Sequence, residues 1–77
     1  MSTKEITEMV TSAAREGRAD YVDICSPSAW GEVQYPFTVG CYEGDGFPFE
    51  APTECHSFEE GWQFMIDLQK EIDQVHG

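Results

Sequence analysis

Residues 32–41, Glu32-Val33-Gln34-Tyr35-Pro36-Phe37-Thr38-Val39-Gly40-Cys41 (EVQYPFTVGC), alternate between two sides of an extended chain. Val33, Tyr35, Phe37, Val39 and Cys41 fall on one face; Glu32, Gln34, Pro36, Thr38 and Gly40 fall on the other, which is the period of a half-buried strand. Pro36 has no N–H to give to a ladder, so the sequence places this strand at a sheet edge or puts a bulge at Pro36. The next residues, Glu43-Gly44-Asp45-Gly46, are turn-forming because glycine supplies positive φ at no steric cost. Phe47, Phe49 and Ala51 then return on one face, with Pro48, Glu50 and Pro52 on the other, as a short third strand.

Upstream, Tyr21, Val22 and Ile24 alternate with Asp20 and Asp23, giving a strand over about 19–25 that ends before Pro27. Before it, Ser2-Thr3-Lys4-Glu5 is a capping box, and Ile6, Met9, Val10, Ala13 and Ala14 recur at helical spacing up to a stop at Gly17. The first helix is expected at about 3–16. Downstream, Ser57-Phe58-Glu59-Glu60 is a second capping box, with acids suited to the positive end of a helix dipole. A long helix is expected from there to about Val75. Phe58, Trp62, Met65, Leu68 or Gln69, Ile72 and Val75 form its predicted core stripe, and Glu60, Phe64, Asp67 and Glu71 share another face. The fold expected is α+β: a single domain over 1–77 in the order α-β-β-β-α, with a small antiparallel three-stranded sheet covered by helices on one face.

At 77 residues the chain is near the size at which one thin core gives marginal stability. A hydrophobic content of 40% with 13% aromatics still suffices for a folded domain. No apolar run approaches the roughly 20 residues of a spanning helix, and no leader pattern is visible, so the chain is expected to be soluble and unprocessed. Three cysteines, an odd number, argue against a disulfide framework and for a reducing cytoplasm.

Cys25, Cys41, Cys55, His56 and His76 show no C-x2-C or H-x3-H spacing, so no metal is expected. A calcium loop fails too: the acidic turn begins with Glu, lacks a third ligand and is broken by Pro48 and Pro52. Nothing in the spacing assembles a nucleophile, base and oxyanion donors. No catalytic residue and no cofactor is therefore expected, and the chain is read as a non-enzyme.

Charge is the largest signal. The net charge is −11, against a magnitude of about 2 to 8 for an ordinary small domain. Lys4, Arg15, Arg18 and Lys70 are the only basic residues, and ten carboxylates between residues 19 and 69 have no Lys or Arg among them. Such a field repels phosphate, which excludes direct binding to nucleic acid or to an anionic membrane. It attracts basic surfaces, the commonest of which hold DNA or RNA. Acidity that serves only solubility or salt adaptation is the plain alternative; a salt-adapted chain is expected to spread its acids evenly and to be poor in large aromatics, whereas here the basic residues sit near the ends and 13% of the chain is aromatic. The carboxylates expected to meet a partner are Glu32, Glu43, Asp45, Glu50, Glu54, Glu59, Glu60 and Asp67, with Trp30, Tyr42, Phe47 and Phe64 as candidate apolar anchors.

In size and composition the chain resembles the phage-borne anti-CRISPR proteins and other DNA mimics. The residues carrying the likeness are EGDG at 43–46, Glu50, Glu54 and SFEE at 57–60. The resemblance implies a stoichiometric inhibitor, acting in the cytoplasm of an infected bacterium, that occupies the Lys/Arg-lined channel of an RNA-guided effector complex where target DNA is otherwise held. The alternative is a small adaptor or antitoxin-like subunit that docks through an apolar sheet face or edge.

Overall fold

A computed structural model describes residues 2–24, 35–41 and 49–77. Helix α1 (Thr3–Arg15) opens on Ser2, whose Oγ accepts the Glu5 amide at 3.2 Å and donates to the Glu5 carboxylate at 3.0 Å. It closes in a Schellman motif: Gly17 takes φ 75°, its amide reaches the Ala14 carbonyl at 3.0 Å, and the Arg18 amide reaches Ala13 at 2.9 Å. Its buried face is Ile6, Val10, Thr11, Ala13 and Ala14. The Thr11 hydroxyl is satisfied by the Thr7 carbonyl at 2.8 Å, which removes the penalty of burying it.

Strands β1 (Tyr21–Ile24), β2 (Phe37–Gly40) and β3 (Phe49–Ala51) form one antiparallel sheet in the order β1-β2-β3. The α-β-β-β-α order is as the sequence indicates. The position of the second strand is not, because β2 is central rather than an edge. Pro36 lies just before its first residue, so it interrupts no ladder bond. Two cross-strand rows build the core face: Val22–Val39–Phe49 and Ile24–Phe37–Ala51. The opposite face carries Tyr21 against Gly40, and Asp23–Thr38–Glu50 in one row.

Helix α2 (Phe58–His76) starts at Ser57, whose Oγ accepts the Glu60 amide at 3.2 Å. Its buried residues are Gly61, Leu68 and Ile72, with Phe64, Met65 and Val75 packed against the core beside them. Phe64 meets Phe37 edge to face, with ring centroids 5.0 Å apart and an interplanar angle of 84°. The predicted stripe therefore needs correction at three residues. Phe58 and Trp62 are 41% and 46% exposed, and Phe64, expected among the carboxylates, faces the core. The cause is Gly61. A Cβ there would lie 3.2 Å from Tyr35 Cβ and 3.3 Å from Ile24 Cδ1, so the helix approaches the sheet on a residue without a side chain. That approach turns Phe58 and Trp62 outward.

The core joins α1, the sheet and α2 through Ile6, Val10, Val22, Val39, Leu68 and Ile72. Helix α2 lies along β1 and runs antiparallel to it. His76 Nε2 is 2.7 Å from the Ala19 carbonyl and donates to it; Gln69 meets Val22 and Asp20; Gly61 meets Ile24. Between β3 and α2, the buried Thr53 hydroxyl accepts the Cys55 amide at 3.1 Å and donates to the Tyr35 carbonyl at 3.3 Å. This pins the approach to α2 onto the lead-in to β2.

Candidate partner-binding surface

Of the eight carboxylates singled out, Glu32, Glu43 and Asp45 lie outside the described residues, as do Trp30, Tyr42 and Phe47. The other five, Glu50, Glu54, Glu59, Glu60 and Asp67, are all exposed. They do not share one face. Glu54, Glu59 and Glu60 gather at the N-terminal end of α2. Asp67 lies seven residues beyond Glu60, about 10 Å along the helix axis. Glu50 stands on the face of the sheet away from α2.

The acids also differ in what already holds them. Glu60 Oε2 accepts the His56 amide at 2.8 Å, so this carboxylate closes the turn that starts α2. Asp67 accepts the Gln63 side-chain amide at 3.0 Å, one turn back on the helix. Glu54 and Glu59 are the exposed acids of the helix start that take no part in the cap. Because α2 is 19 residues long, about 28 Å separates this acidic end from the end where His76 meets Ala19. Arg18 and Arg15 belong to that far end, and Arg18 pairs there with Glu16 at 3.2 Å. Glu54, Glu59 and Glu60 thus sit at the pole where the macrodipole is positive, while Glu71 and Asp73 carry exposed carboxylates on toward the far end of α2.

Sequence reasoning missed two features of this surface. The first is the aromatic pair Phe58 and Trp62, whose ring centroids lie 5.7 Å apart with a 30° tilt, one helical turn apart among the acids. The only sequence signal was that Gly61 interrupts the apolar count between them. The second is Asp23, exposed in the same cross-strand row as Thr38 and Glu50 on the sheet face away from α2; its alternation with Val22 and Ile24 was the signal for that face.

The outer edge of β1 is closed. Gln69 Oε1 accepts the Val22 amide at 2.9 Å, Gln69 Nε2 donates to the Asp20 carbonyl at 3.1 Å, and Asp23 Oδ1 accepts the Ile24 amide at 2.9 Å. A strand arriving at this edge would have to displace the Gln69 side chain. Among the described residues no group of three or more His, Cys, Asp or Glu is placed to hold a metal ion, and no helix is long and apolar enough to cross a membrane. Cys41 and Cys55 are free thiols; Cys55 is buried while His56 is exposed, so this adjacent pair is divided between core and solvent.

No family model, curated protein or solved structure matches the chain.

Proposed function

We propose that the protein is an acidic inhibitor that occupies the basic nucleic-acid-binding surface of another protein complex and blocks DNA binding by charge mimicry, in the manner of an anti-CRISPR protein. The observation that carries this is the N-terminal pole of α2, where Glu54 and Glu59 are exposed and free of the cap. Exposed like charges held close raise the local potential and steer basic partners at long range. Asp67 extends the negative surface along the helix. Its place of action would be the cytoplasm of an infected bacterial host, and its partner the Lys/Arg-lined channel of an RNA-guided complex.

The test is the triple variant Glu54→Lys, Glu59→Lys, Asp67→Lys, which leaves the Glu60 cap in place. In a mobility-shift assay of purified effector complex with duplex DNA, the wild-type protein should prevent the shift and the variant should not. Equal inhibition by both would remove charge mimicry from consideration.

A second reading, an adaptor or antitoxin-like subunit, is favoured by the exposed Phe58 and Trp62 rings. On this reading the contact is made by these rings on α2 rather than at the β1 edge, which Gln69 closes. High salt separates the two, because an apolar interface persists or tightens where exposed charges are screened.

A further inference from the structure

We infer that Phe58, Trp62 and Ile66 form a ledge on the outer flank of α2 that docks an arginine-bearing segment of the basic partner, with Glu59 supplying the carboxylate beside the stacked guanidinium. This rests on the charge-mimicry reading and names the chemistry it selects.

The three apolar residues are spaced i, i+4 and i+8, so they follow one another along one side of the helix. The two rings are 41% and 46% exposed, Ile66 is half-buried, and Phe64 on the opposite flank is the aromatic that packs into the core. The Trp62 indole is the more exposed of the two rings. Glu59 lies three residues before Trp62, so the two are neighbours on the helix surface and its exposed carboxylate stands beside the indole.

The charge says what covers the ledge. A second copy of this chain would bring another net charge of −11 against Glu54, Glu59 and Asp67, so self-association works against the field. A basic segment is attracted by it. Among basic side chains, arginine fits both components, since its planar guanidinium stacks on an aromatic face while its N–H fork pairs with a carboxylate; the compact, strongly hydrated lysine ammonium does this less well. The acids provide long-range attraction shared by all cations, and the rings provide discrimination among them.

The experiment uses octa-arginine and octa-lysine, peptides of equal charge, titrated calorimetrically at low salt into wild-type protein, Trp62→Ala and Trp62→Phe. Circular dichroism checks that the variants keep the helical fold. The wild type should bind octa-arginine about two- to fivefold more tightly than octa-lysine, as one exposed cation–π contact warrants. Trp62→Ala should erase that preference by weakening octa-arginine more than octa-lysine, and Trp62→Phe should restore part of it. Equal affinity for the two peptides in the wild type, or a preference that survives Trp62→Ala, would overturn the ledge and leave charge mimicry standing. Binding of neither peptide would overturn both.

Discussion

The Gln69 side chain reaches from α2 to the free edge of β1, where its carbonyl oxygen takes the Val22 amide at 2.9 Å. The same side chain gives its N–H to the Asp20 carbonyl at 3.1 Å, so one residue satisfies a donor and an acceptor that the sheet leaves unpaired. Gln69→Leu keeps the volume and the helix propensity but orphans both backbone groups. It should cost about 1–3 kcal/mol, a fall in Tm of several degrees for a domain of this size. Hydrogen exchange at the Val22 amide should accelerate. Unchanged stability and protection would show that water replaces Gln69 without penalty.

Glu59 and Glu60 are neighbours with different duties. Glu60→Ala removes the acceptor of the His56 amide and should lower stability by about 0.5–1.5 kcal/mol. Glu59→Ala touches no capping bond and should change stability by less than about 0.5 kcal/mol. Partner affinity should fall for both. Chemical denaturation alongside a binding titration distinguishes them, and equal destabilisation by the two substitutions would contradict the division of roles.

Gly61 sets how closely α2 lies on the sheet, with Tyr35 and Ile24 where its side chain would be. Gly61→Val should overpack this contact and destabilise by about 1–3 kcal/mol. Gly61→Ala should be milder, because a gain in helix propensity of about 1 kcal/mol opposes the crowding. A valine variant as stable as the wild type would mean that the helix shifts freely.

The two aromatics of α2 offer a direct check on its phase. Phe64→Ala removes the edge-to-face contact of a partly buried ring with Phe37 and should cost about 1–3 kcal/mol. Trp62→Ala removes a half-exposed ring and should cost much less. Thermal melts of the two variants decide it, and the reverse order would restore the stripe drawn from the sequence.

What the sequence made legible was local. Ser2 with Glu5, Gly17, and Ser57 with Glu60 mark helix ends because capping chemistry is confined to a few neighbouring residues. Alternation at Val22–Ile24 and Phe37–Val39 marks strands for the same reason. Strand order was hidden, since Pro36 bears on pairing only if it lies within the ladder, and it lies just before it. The phase of α2 was hidden because its closest approach to the sheet is made by Gly61, which contributes nothing to an apolar count. Gln69 was ambiguous by spacing; its partners are 47 and 49 residues away. Of the surface, the exposure of Glu50, Glu54, Glu59, Glu60 and Asp67 was readable, whereas their division between α2 and the far sheet face depends on tertiary structure.

The decisive measurement is displacement of labelled duplex DNA from purified RNA-guided effector complexes by this protein, repeated across a salt series. Charge mimicry predicts stoichiometric displacement from at least one complex, weakening steeply as ionic strength rises, because exposed carboxylates are screened beyond about 8 Å at physiological salt. Failure to displace DNA from any complex, or displacement that is indifferent to salt, would contradict it.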